Sequence, residues 1–177
     1  MDMKKLLTFV CALGMALLMT PLKAQQAPPA IDTRIYDIIS SVSADRIEAD
    51  IRKLAGFGTR NTFSDTVSDT RGIGAARRWI KAEFEKISQA CGGCLEVFYQ
   101  KDLVTTEMGN RVPKDAYIVN VVAVLRGTDN PNNYVMMSGD IDSRASNTMD
   151  YEVDAPGAND NASGMAGTLE AARVLSK

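Results

Sequence analysis

The chain has 177 residues, of which 45% are hydrophobic and 24% charged. That is room for one domain with a real core plus a targeting segment. A net charge of -2 argues against a nucleic-acid partner, which needs clustered cations to neutralise phosphates. The sequence holds no histidine. It therefore cannot by itself assemble a Ser-His-Asp triad, a Cys-His dyad or an HExxH zinc site. Any chemistry rests on carboxylates, hydroxyls, Lys, Tyr, Cys or a metal held by oxygen.

Lys4 and Lys5 precede an apolar run from Leu6 to Met19, Pro21 breaks it, and Ala24 follows. Charge, apolar stretch and small residue in that order predict a signal peptide over 1–24, and so a protein exported to the periplasm or beyond. The run is too short for a stable membrane anchor. Residues 25–42 read as a Pro-containing leader and a first helix, with Ile35, Ile38 and Ile39 at helical spacing. Ser43 is placed to cap a second helix reaching about Leu54, with Ile47, Ile51 and Leu54 on one face. Gly56 and Gly58 end it, and 61–69 is a polar loop. A longer helix is predicted from about Thr70 to Ser88, its buried stripe being Ile73, Ala76, Ile80, Phe84 and Ile87.

Cys91 and Cys94 form a Cys-Gly-Gly-Cys motif between this helix and the next strand. An oxidising compartment favours a disulfide between them, a small clip in a turn. A redox motif would place its first Cys at a helix start. A zinc half-site would need two further Cys or His ligands, and the one other cysteine, Cys11, lies within the predicted signal peptide.

Leu95 to Val104 reads as a strand. Ala116 to Leu125 is a near-continuous β-branched run, predicting a strand covered on both faces. Tyr134 to Ser138 reads as another buried strand, and 142–158 as a long loop. A last helix is expected over 161–176, with Met165, Leu169, Ala172 and Leu175 inward. Strands alternating with helices predict an α/β layered fold. No strand follows the last helix, so the sheet reads as cut short on its C-terminal side.

Two acidic clusters stand out. Asp140-Ile141-Asp142 lies at the C-terminal end of a predicted strand, where open α/β sheets bind ligands. Gly157-Ala158-Asn159-Asp160-Asn161 leads into the last helix. Carboxylates converging there would repel unless a cation sat between them. The alternative is a solvated acidic loop in which Asp160 or Asn161 caps the helix.

The stretch from Tyr134 to Lys177 resembles the co-catalytic zinc aminopeptidases of the clan MH exopeptidases. That family has a strand ending in Gly-His-x-Asp-Ser, then a loop ending in Ala-Pro-Gly-Ala-Asp-Asp-Asn-Ala-Ser-Gly, then a helix. Residues 155–164 match the loop at nine of ten positions. Gly58-Thr59-Arg60 and the segment 75–80 are also similar to the family. The resemblance implies a three-layer α/β/α sandwich with a mixed sheet, and makes 43–177 the N-terminal part of the catalytic domain. It implies two zinc ions, with Asp160 bridging them and Asp140 a metal ligand at the position of the family's first histidine. Asp142 would be the catalytic-site carboxylate that orients that ligand. Ser143 and Arg144 continue the match without a role. The implied substrates are peptides with a free N-terminus.

Two departures matter. Asp140 in place of histidine adds negative charge and shifts metal preference towards harder divalent cations. The family's catalytic Glu and its later ligands all lie further downstream, so two of five expected ligand positions are present. Two other readings stand beside the aminopeptidase: a non-catalytic or inactive relative, and a nucleotide-sugar transferase using Asp140-x-Asp142. The second leaves the Ala-Pro-Gly-Ala segment unexplained.

Overall fold

The computed structural model describes residues 32–177. The predicted signal peptide and most of the leader lie outside the described residues. Helix α1 spans Thr33–Ser41 and carries Ile35, Tyr36 and Ile39 exposed to solvent. Helix α2 spans Ala44–Ala55. Ser43 has extended backbone, and its Oγ accepts from the Arg46 amide at 3.3 Å. Asp45 in the first turn and Arg52 and Lys53 in the last oppose the helix dipole. Leu54 at its end is fully buried.

Helix α3 spans Gly72–Ala90, and all five residues of the predicted stripe are buried. The chain then reverses. Cys91 and Cys94 are joined in a disulfide with their Cα atoms 5.5 Å apart. Ser88 Oγ donates to the Leu95 carbonyl at 2.9 Å and accepts from the Leu95 amide at 3.1 Å. The helix end and strand start are thereby fastened to each other.

Strands β1 (Leu95–Val104) and β2 (Ala116–Leu125) pair antiparallel, in register from Leu95 opposite Leu125 to Val104 opposite Ala116. Directly opposed residues share a face. Leu95, Val97, Val121 and Ala123 pack on the core made by Leu54, Phe57, Ile80, Phe84, Met165 and Leu169. The other face is open, and Phe98 and Ile118 are each 40% exposed. The β-branched run of β2 is therefore covered on one face, not two. Nothing among the described residues packs over the second.

Residues 134–138 form no strand. A strand needs a neighbour for its amides and carbonyls, and none of the described strands offers it one. Tyr134, Val135, Met136 and Met137 are accordingly exposed. The described residues thus form a mixed helix-and-strand fold with one two-stranded sheet.

Helix α4 spans Ser163–Leu175 and starts two residues later than predicted, after an irregular turn over Ala158–Ala162. Its inner face carries Met165, Ala166, Leu169, Glu170 and Val174, whereas Leu175 is exposed. Glu170 is 2% exposed. It accepts from the Ser43 amide at 2.8 Å and from Arg46 Nε at 2.9 Å. One turn on, Arg173 pairs with Asp50 at 2.6 Å and with Glu83 at 3.2 Å. This network fastens α2, α3 and α4 together around the core.

Candidate metal-ligand segments and their arginine clamp

The two acidic clusters lie on neighbouring segments. The first is the irregular stretch 139–143, whose Gly139 packs on the first turn of α4. A Cβ there would fall 2.5 Å from the Met165 amide nitrogen. At the other end, Gly157 has φ +49, and a Cβ on it would fall 2.6 Å from the Ser143 Cβ. Both ends of 139–143 are therefore held against the segment that carries Asp160. The backbone of Asp160 and Asn161 is non-helical and the peptide between them is cis. The Ala162 amide donates to the Gly157 carbonyl at 3.0 Å, closing the turn. Asn161 Oδ1 accepts from the Gly164 amide at 2.8 Å, so Asn161 caps the start of α4.

What joins the segments is Arg60, 1% exposed. Its Nε donates to the Ile141 carbonyl at 2.9 Å, and Nη1 donates to the Leu54 carbonyl at 2.9 Å and the Pro156 carbonyl at 2.6 Å. Nη2 donates to the Gly157 carbonyl at 3.0 Å. One planar guanidinium thus ties the C-terminal end of α2 to both acidic segments. Ser143 completes the knot. Its Oγ accepts from the Arg60 amide at 2.9 Å and donates to the Ala155 carbonyl at 2.5 Å, and its amide donates to the Arg60 carbonyl at 3.2 Å. The Ala155 amide reaches the Gly58 carbonyl at 2.9 Å.

Burial pushes the Arg60 guanidinium below its usual pKa range, and the Asp142 carboxylate partly offsets that. Arg77 is lowered in the same way, by burial against the opposing pull of Tyr99 and Asp142. Its Nε is buried without a hydrogen-bond partner. Asp142 itself is exposed, and its Oδ2 accepts from Thr62 Oγ1 at 3.3 Å. The acidic surface is therefore backed by two buried cations.

Asp140, Asp142 and Asp160 are all exposed carboxylates. Among the described residues no three His, Cys, Asp or Glu side chains come together to hold a metal ion. Cys91 and Cys94 are spent on their disulfide. By themselves these residues do not form a complete zinc site. A cavity of about 500 Å³ opens next to the loop 59–66, lined by Phe63, Arg71, Lys114 and Tyr151 among others. Lys114 Nζ lies 4.3 Å from the Tyr151 ring centre.

Sequence reasoning singles out the carboxylates but not the arginine and serine that tie their segments together. Gly58-Thr59-Arg60 was a point of resemblance without a role, and Ser143 had none. An arginine that binds only backbone carbonyls leaves no partner residue type to search for.

The geometry is thus a glycine-lined acidic turn leading into a helix, clamped beside a second acidic segment. Residues 120–177 match the family model of Peptidase family M28. A probable zinc metalloprotease of Leptosphaeria maculans is 44% identical over 149 residues, covering 84% of this chain and 34% of that protein. One of Pyrenophora teres is 43% identical over 150 residues, covering 85% of this chain and 31% of that protein. One of Pyricularia oryzae is 42% identical over 144 residues, covering 81% and 28%. No solved structure matches. The chain belongs to peptidase family M28. It spans about a third of the length of the curated relatives it matches.

Proposed function

We propose that the chain is part of an exported zinc metallopeptidase, an aminopeptidase that removes the N-terminal residue of peptides at a two-zinc centre. The observation that carries this is the clamped pair of acidic segments, with Asp140 on one and Asp160 on the other. Asp160 would bridge the metals, Asp140 would bind one of them, and Asp142 would orient that ligand. The remaining ligands and the general base would come from outside the described residues. Zinc bound at such a centre polarises a carbonyl and makes water acidic. This chain's part is to hold the two carboxylate-bearing segments together through the buried Arg60 guanidinium. Asp140, being a carboxylate, leaves room for a harder divalent metal. In the complete protein the open face of β1 and β2 and residues 134–138 would take their places in a three-layer α/β/α sandwich. Export rests on the signal-like segment 1–24. No helix among the described residues is long and apolar enough to cross a membrane.

The test is elemental analysis and peptide hydrolysis by the full-length protein. Two zinc ions per chain and release of N-terminal residues, both lost on chelation and in Asp160→Ala, are expected. Unchanged hydrolysis in Asp160→Ala would reject the assignment. A non-catalytic relative is the second reading, favoured by Asp140 standing at the histidine position. It expects no stoichiometric metal in full-length material.

A further inference from the structure

We infer that Arg60 is the positioning residue of this centre, setting the separation of the two carboxylate-bearing segments without touching metal or substrate; this rests on the proposed function. Its four acceptors come from three separate stretches: Leu54 at the end of α2, Ile141 between Asp140 and Asp142, and Pro156 and Gly157 at the mouth of the Asp160 turn. Every side-chain acceptor is a backbone carbonyl, so the clamp fixes where the chain runs and leaves the carboxylates free. Ser143 adds a second tie between the same segments. Shifting either segment would change the spacing of Asp140 and Asp160 before any metal arrived.

A lysine keeps the charge but lacks the planar fork, so it cannot serve acceptors in three directions. Arg60→Lys therefore separates geometry from charge. In the full-length protein it should fold but melt below the wild-type temperature, because the buried carbonyls that a lysine cannot reach lose their donor. It should bind zinc about ten- to a hundredfold more weakly in competition with a chelator, as groups supporting metal ligands do. Its kcat should fall while KM changes little. Wild-type zinc affinity in a folded Arg60→Lys protein would overturn the inference.

Should the lysine variant fail to fold, Ser143→Ala provides the decision. It leaves the Arg60 side-chain bonds and removes the second tie, so a smaller loss of zinc affinity in the same direction is expected, and no loss refutes the inference. If the wild-type protein holds no zinc, the proposed function fails, and hydrogen exchange tests Arg60 separately. Arg60→Lys should then speed exchange at the Ser143 and Ala155 amides while α3 core amides stay protected. Unchanged exchange at those two amides would sink the inference on its own terms.

Discussion

Glu170 shows how a single buried charge is made tolerable. A carboxylate 2% exposed has lost its water and needs donors in return. It has the Ser43 amide and the Arg46 guanidinium, with Arg173 at 3.5 Å. The hydrogen bond from Arg46 is the largest influence, and it holds the Glu170 carboxyl below the usual glutamate range despite burial. A carboxyl with a depressed folded pKa stabilises the fold fully above its unfolded value, about 4.3. That contribution fades as pH falls through the lower folded value. Urea denaturation between pH 7 and 3 should show wild-type stability dropping below about pH 4.3, with Glu170→Gln lacking this component. At pH 7 Glu170→Ala should cost about 1–3 kcal/mol, because the Ser43 amide is left without its partner. A pH profile identical in wild type and Glu170→Gln would show that the carboxylate is not the titrating group.

At the scale of elements, the contact between segment 139–143 and α4 is as tight as backbone allows. A Cβ at Gly139 would meet the Met165 amide nitrogen at 2.5 Å and the Gly164 carbonyl carbon at 2.6 Å. Neither can swing aside as a side chain could. Gly139→Ala should therefore lower stability by about 1–3 kcal/mol, the range for overpacking. The loss should concentrate in exchange protection at the start of α4. A fully stable Gly139→Ala protein would mean that the two elements are looser than described. The same contrast explains what the sequence disclosed. Helix α3 was legible because its stripe of Ile73, Ala76, Ile80, Phe84 and Ile87 repeats within one element. The strands β1 and β2 were legible as segments, since β-branched runs bounded by turns are local signals. Whether a face is covered is not local, and β2 turned out open on one side. Residues 134–138 carry strand composition but find no partner strand among the described residues, and pairing is not a property composition can show. At the site, Asp140, Asp142 and Asp160 stood out as clustered charges, whereas Arg60 reaches partners 81 to 97 positions away that are backbone atoms.

For the molecule as a whole, the balance of covered and open apolar surface decides behaviour in solution. The core between α2, α3, α4 and one sheet face is well buried. Outside it, Tyr134, Val135 and Met136 are each more than four-fifths exposed in consecutive positions. Phe98 and Ile118 lie on the open sheet face. Soluble proteins seldom leave contiguous apolar patches of this kind without a partner surface. A run of strand composition that pairs with no described strand is also a template for pairing with another chain. The 177-residue chain should therefore self-associate. Sedimentation velocity across a concentration series should show growing weight-average mass, and the double substitution Val135→Lys with Met136→Lys should reduce it. Those two side chains make no contact with the core, so the double variant should melt at the wild-type temperature while associating less. A wild-type chain that stays monomeric at the highest concentrations would mean that the open face and the 134–137 run are satisfied within one molecule.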